Sequence, residues 1–255
     1  MPGHLAARTS TGLVRTHNED SAYVGRWLCA VADGMGGHVA GGVASTAVVD
    51  ALHSFDVDVS SPKELRSVLG HAVAAANGRL AAMIAADPSL GGMGSTLVAM
   101  LWTDNNVAVA NIGDSRAYLA RRGALTRITE DHIMSKLVAN PAPSHIGAFL
   151  VRYLDGRLDR SADLTRHATL PGDRFLICSD GLSGVLEPGI IRDVLISVKD
   201  ADEAVTELIR LTHEAGAPDN VTAVIADTPE PAWRALEGTP LILGAAASRT
   251  RMPTA

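Results

Sequence analysis

Three apolar runs in this chain lead into an aspartate: AVADG at Asp33, ANIGDSR at Asp114 and LICSDG at Asp180; a fourth, Asp219, stands just ahead of the run NVTAVIAD. A carboxylate at the lip of a buried sheet is costly unless it is paired or bound to a cation. Each aspartate taken singly also fits a hairpin turn. That reading is weak at Asp33 and Asp180, where GMGGHVAGG and LSGVLEPG follow in place of a second strand. If the four converge, the donors are all oxygens with no Cys or His at metal spacing, a set that selects hard ions such as Mg²⁺ or Mn²⁺ over zinc. Two such ions bridged by a carboxylate and a hydroxide are a device for hydrolysing phosphate esters. The segment RTHNEDS adds Arg15, whose guanidinium can fork onto a phosphate dianion, and the acidic Glu19 and Asp20. Taken alone, it reads equally as a solvated polar turn.

The glycines of VADGMGGHVAGG (residues 31–42) do not form a nucleotide cradle. No Lys and Ser/Thr follow them, and Val39 stands where the third glycine of G-x-G-x-x-G belongs. Cys29 and Cys178, the two cysteines, each sit inside an apolar run and read as buried free thiols; the strand FLIC argues against a nucleophilic Cys178.

The elements that must position these groups are short apolar runs bounded by Gly, Asn or Asp, read as strands, with turns at Asp104-Asn105-Asn106 and Arg122-Gly123. Helical patterns cover 40–56, 61–86 and 202–215, the second opened by Ser61-Pro62 and Glu64 and closed by Asp87-Pro88. Strands, a helix pair, a meander of strands, further helix and a last strand do not alternate as a parallel sheet requires. The reading is α+β, antiparallel sheet covered by helices. A domain over 1–228 is expected, with a proline-containing, partly disordered tail over 229–255 in which residues 240–247 add a short docking segment.

With 255 residues and 47% hydrophobic content the chain can bury a full core, and its net charge of −6 disfavours a nucleic acid partner, a metal-dependent nuclease activity and an anionic membrane partner. The most apolar helical stretch, 72–86, is interrupted by Asn77 and Arg79, so no membrane insertion is expected and the chain reads as cytoplasmic and monomeric. Only three of the 22 basic residues are lysine, a bias that points to a GC-rich bacterial source.

Seven segments in order resemble the bacterial metal-dependent protein serine/threonine phosphatases of type 2C: R-x-x-N-E-D-S at 15–21, ADGMGGHVAG at 32–41, GSTLVA at 94–99, NIGDSRAYL at 111–119, ITEDH at 128–132, PGDRFLICSDGL at 171–182 and PDNVTAVI at 218–225. The resemblance implies a four-layer αββα sandwich with two antiparallel sheets and a centre of two Mn²⁺ or Mg²⁺ ions. Carried over by position, Asp33 bridges both metals, the Gly34 carbonyl binds the second, Asp180 and Asp219 hold the first, and Glu19 acts through metal-bound water. Asp114 is implied, with Asp180, at a third, weaker metal. Asp20 and Asn220 are implied as supports behind the ligands, and Arg15 as the phosphate clamp. A metal-bridging hydroxide is the implied nucleophile, and His38 is the candidate for protonating the leaving seryl or threonyl oxygen, ahead of His17 and His132. The glycines then let the backbone pass close to the metals.

Three departures from the family pattern stand out. Gly42 replaces the usual acidic residue after the glycine-rich segment, Ile133 replaces the usual Ser, and the flap is shortened to MSKLVANPAPSHIGAFLVRYLDG with Arg152 at the conventional arginine. The implied activity is hydrolysis of phosphoserine and phosphothreonine in protein substrates, opposing a cognate bacterial Ser/Thr kinase. The alternatives are a pseudophosphatase that binds phosphoproteins without turnover, and a stress-signalling phosphatase acting on an anti-sigma-factor antagonist. Relatives of that last type typically lack the R-x-x-N-E-D segment present here.

Overall fold

The computed structural model describes residues 4–37, 40–134, 149–228 and 240–248. Among these residues twelve strands form: β1 (His4–Ser10), β2 (Asp20–Val24), β3 (Leu28–Met35), β4 (Gly94–Ser95), β5 (Leu97–Trp102), β6 (Asn106–Ile112), β7 (Arg116–Arg121), β8 (Ala124–Arg127), β9 (Asp163–Ala168), β10 (Arg174–Cys178), β11 (Val221–Asp227) and β12 (Leu241–Gly244). One sheet has the order β1-β11-β10-β7-β8; the other runs β12-β2-β3-β5-β6-β9, with β4 paired to β3. Every pairing is antiparallel.

The period of two along each strand sorts its side chains into layers. On β5, Leu97, Ala99 and Leu101 face helices α1 (Ala40–Leu52) and α2 (Leu65–Ala86), while Val98, Met100 and Trp102 face the other sheet. On β10, Phe175 and Ile177 meet them from across the gap, with Trp102 and Phe175 edge to face at 6.3 Å. Leu176 and Cys178 turn outward to α4 (Pro188–Ser197) and α5 (Ala201–Glu214), beyond the one-turn α3 (Asp180–Ser183). Three cores between four layers make the αββα sandwich.

Local chemistry sets the boundaries. The second helical pattern starts at Leu65 rather than at 61, because Ser61 through Glu64 close a turn of their own, with the Glu64 N–H donating to the Ser61 carbonyl at 3.0 Å. The first helical pattern loosens at His53–Phe55 into a 3₁₀ turn. Asp200 caps α5 by accepting the Glu203 N–H at 2.9 Å. Arg122 and Gly123, both with positive φ (51° and 81°), make the β7–β8 hairpin. By length and composition α2 could cross a membrane, but it presses Leu65, Leu69, Ala72, Val73 and Leu80 into the core. Its Asn77 is buried and holds the backbone at Gly156 and Arg157. Both cysteines are free and buried, and burial pushes the Cys178 thiol up to about 12, far from a nucleophile's range. From the segment expected as a tail, Leu241–Gly244 joins the larger sheet beside β2.

Candidate metal centre

The site lies at one end of the gap between the sheets. On β3, Cys29 and Val31 face the opposite sheet, and the same parity brings Asp33 to the end of that row. Asp20 on β2 is the register partner of Asp33, so two acidic groups stand side by side on adjacent strands. From the other sheet, Asp180 follows β10 at the head of α3, Asp219 precedes β11 and Asp114 precedes β7. None of these aspartates makes a hairpin. Gly113 to Ser115, for instance, carry the chain from one sheet to the other.

Arg15, Glu19, Asp33, Gly34, Asp114, Asp180, Asp219 and Asn220 line a single cleft of about 470 Å³, together with Met35, Gly36, Thr96, Phe149, Leu150 and Tyr153. Asp20 sits behind it, fully buried, accepting the Ser179 hydroxyl at 2.8 Å on Oδ2. The side-chain amide of Asn220 ties three stretches together: its Oδ1 accepts the Glu19 N–H at 2.8 Å, and its Nδ2 donates to the carbonyls of Thr11 and His17, each at 2.9 Å. Arg15 donates from Nη2 to Asp219 at 2.7 Å, an ion pair that raises its pKa.

The carboxylates are held against their own repulsion. Burial first, then the charges of Asp20, Asp180 and Asp114, lift Asp33 well above the ordinary carboxylate range. Burial raises Asp114 to about 7, with Asp180 adding to it, and burial likewise raises Asp20 to about 7 against the hydrogen bonds from Thr222 and Ser179. Asp180 is raised too, by burial and by Asp219. Glu19 Oε1 and Asp20 Oδ1 are buried with no hydrogen-bond partner. Among the described residues no three such side chains close into a preformed metal cage; they stand around the cleft. Orphaned carboxylate oxygens in an all-oxygen, mutually repelling set fit hard divalent cations.

The glycines serve close approach. A Cβ on Gly34 would stand 2.0 Å from the Gly41 carbonyl oxygen, and one on Gly41 would stand 2.8 Å from Glu19 Oε1. Any side chain at either position would drive α1 away from the Glu19 loop.

His38 lies outside the described residues. His132 is buried in structural bonds: its Nδ1 accepts the Gly113 N–H at 3.1 Å, and Nε2 meets Asp163 at 3.0 Å. His17 is exposed and serves the site through its backbone carbonyl. Of the shortened flap, residues 135–148 lie outside the described residues. At its base Ile133 bridges to Leu150, and Arg152 binds Asp163 at 2.9 Å. Sequence reasoning missed Thr96, whose Oγ1 accepts the Asp33 N–H at 3.0 Å, and Ser179. Both lie inside motifs already quoted, GSTLVA and FLICSDG, which was the available signal. It also missed Phe149, Leu150 and Tyr153 as lining residues, for which the sequence offered no pattern.

A family model described as "Protein phosphatase 2C" matches residues 14–228. The chain belongs to the protein phosphatase 2C family. Among its relatives is the serine/threonine protein phosphatase PstP of Mycobacterium tuberculosis, 43% identical over 230 residues covering 87% of this chain and 44% of PstP. The chain thus aligns with less than half the length of that relative. The serine/threonine phosphatase stp of Listeria welshimeri is 31% identical over 242 residues, covering 88% of this chain and 95% of that protein. In three dimensions the chain resembles the catalytic domain of PstP solved in complex with two manganese ions, with TM-score 0.82, 42% identity and coverage of 89% of this chain and 98% of that one. Membership of the 2C family accounts for the two sheets, the flanking helices and the acidic cleft where they open.

Proposed function

We propose that this chain hydrolyses phosphoserine and phosphothreonine in proteins with two Mn²⁺ or Mg²⁺ ions, opposing a bacterial Ser/Thr kinase in the cytoplasm. The observation that carries the reading is the cleft in which Glu19, Asp33, Asp114, Asp180 and Asp219 stand, among the described residues, with a single arginine. Asp33, the Gly34 carbonyl, Asp180, Asp219 and Glu19 would hold the two ions, and Asp114 with Asp180 a third. Such ions, when bound, supply Lewis acidity toward the phosphoryl oxygens and an activated water.

The chain's own groups then do three things. Arg15, anchored to Asp219 through Nη2, offers its remaining donors to the incoming phosphate dianion at the mouth of the cleft. Asn220 and Ser179 hold Glu19 and Asp20 in place from behind. His38 is the proposed donor of the proton that the leaving seryl or threonyl oxygen takes up. Phe149, Leu150 and Tyr153 on the flap side line the cleft where a substrate's flanking residues would rest.

The test is phosphate release from a phosphothreonine peptide with Mn²⁺ or with EDTA, in the parent, Asp33→Ala and Asp180→Ala. Expected is Mn²⁺-dependent release that drops by about 10³-fold in both variants, on the order of 4 kcal/mol of barrier. Equal release in EDTA defeats the metal reading. Peptide binding without release under any divalent ion makes the chain a phosphoprotein-binding regulator instead.

A further inference from the structure

The segment Leu241–Ser248 returns from far along the chain to lie against the strand and helix that carry the acidic cleft. In β12, Gly244 pairs with Ser21, next to Asp20. Two glycines make the seat. Gly244 has a φ of +74°, and a Cβ there would stand 2.0 Å from the Asp20 carbonyl oxygen. Across from it, a Cβ on Gly42 would come 3.2 Å from the Cβ of Ala245. Helix α1 therefore offers no side chain at 42, and Ala245 fills the space. Ala246 is 3% exposed and belongs to the core between the helices and the larger sheet.

From there a relay of hydrogen bonds runs into the site. The Ala246 N–H donates to Ser21 Oγ at 3.2 Å, and Ser21 Oγ lies 2.9 Å from Ser45 Oγ. Ser45 Oγ in turn donates to the Glu19 carbonyl at 2.5 Å, which also accepts the Gly34 N–H at 3.2 Å. A consistent direction exists: Ser21 accepts from Ala246 and donates to Ser45, which donates to Glu19. The last acceptor is the backbone of one proposed metal-binding residue, and its second donor is the backbone of another.

We propose that Leu241–Ser248 is a positioning clamp: docked on β2 and α1, it fixes the backbone of Glu19 and Gly34 at the height the metal centre requires. It touches no substrate and acts through Ser21 and Ser45. The proposal rests on the metal reading above, and groups behind metal ligands commonly govern affinity by 10- to 100-fold.

Two single changes undo the clamp. Gly244→Ala places a methyl group against the Asp20 carbonyl at a backbone conformation alanine resists, and Ser21→Ala cuts the relay while leaving the fold's apolar contacts alone. Mn²⁺ is titrated calorimetrically into the parent and both variants, and phosphopeptide hydrolysis is followed at limiting and saturating Mn²⁺. Expected is a weakening of Mn²⁺ affinity by about tenfold in each variant, with the activity lost at limiting Mn²⁺ recovered at saturation. If Gly244→Ala does not fold, Ser21→Ala decides alone. A Ser21→Ala isotherm like the parent's overturns the clamp, even where its melting temperature falls, since the segment then only stabilises. A parent that binds no Mn²⁺ overturns the functional reading and the clamp together, whereas a parent that binds it with unmoved variants overturns the clamp alone.

Discussion

Strands β10 and β11 carry acidic groups at both ends, while β7, beside β10 in the sheet, has Asp114 before one end and Arg121 at the other. The two poles treat their carboxylates oppositely. At one end Asp227 receives a bidentate fork from Arg174 at 2.6 and 2.7 Å, and Asp173 receives one from Arg121 at 2.7 and 2.6 Å. Arg174 spends its other donors on the carbonyls of Leu195, Val198 and Lys199, closing the end of α4 onto the sheet. At the other end Asp114, Asp180 and Asp219 face Asp33 and Glu19 across the cleft, and Arg15 meets one of them. The same strands thus finish one pole as structure and leave the other short of positive charge. Burial of a carboxylate is tolerable at either pole, but only at the first does each of these carboxylates receive an arginine fork of its own.

The largest effect expected separates the poles by sign. Asp33→Asn should lower Mn²⁺-dependent phosphate release by about 10³-fold, yet leave the EDTA-treated protein as stable as the parent or more so, because it removes a charge whose burial opposes folding. A fall in melting temperature in EDTA would break the comparison. Next, Arg174→Ala should cost about 3 kcal/mol by stranding Asp227 and three carbonyls, while the folded fraction keeps the parent's kcat. Denaturant melts and active-site titration check both halves. Mn²⁺ at a hundred times its Kd should stabilise the parent by about 2.7 kcal/mol per occupied site and do markedly less for Asp33→Asn. The smallest change is expected where a pair is replaced whole. Arg121→Met with Asp173→Leu should cost about 1 kcal/mol, chiefly for the Leu170 N–H that Asp173 accepts at 2.7 Å, and should not move kcat/KM.

Much of this was legible in the residues. Run length and turn chemistry located the strands around AVADG, LVAMLW and RFLIC, because a strand with helices on one face and a sheet on the other is buried on both and reads as a continuous apolar run. Asp33, Asp114, Asp180 and Asp219 stood out as acidic groups bounding apolar runs, and the structure brings them to one cleft. Less visible were contacts that depend on distant partners. Asp56 follows a helix in a polar stretch without a motif, yet accepts the Tyr23 hydroxyl and the N–H groups of Arg26, Trp27 and Leu28. His132 carried the same local signal as a catalytic histidine and is built into a structural network.

The sequence by itself determined the long apolar strands, three of the helices, the acidic ends and the oxygen-only chemistry, since those follow from apolar run length, helical period and the cost of burying charge near the residue concerned. Strands β2 and β9 and helix α4 were located only by the structure. Which carboxylates would find an arginine was decided only by the tertiary structure. Asp227 and Asp219 flank the same strand, and the partner of each comes from far away in sequence, from Arg174 and Arg15 respectively. The seat of Ala245 against Gly42 was decided the same way. A glycine's empty space has no signature until another part of the chain fills it.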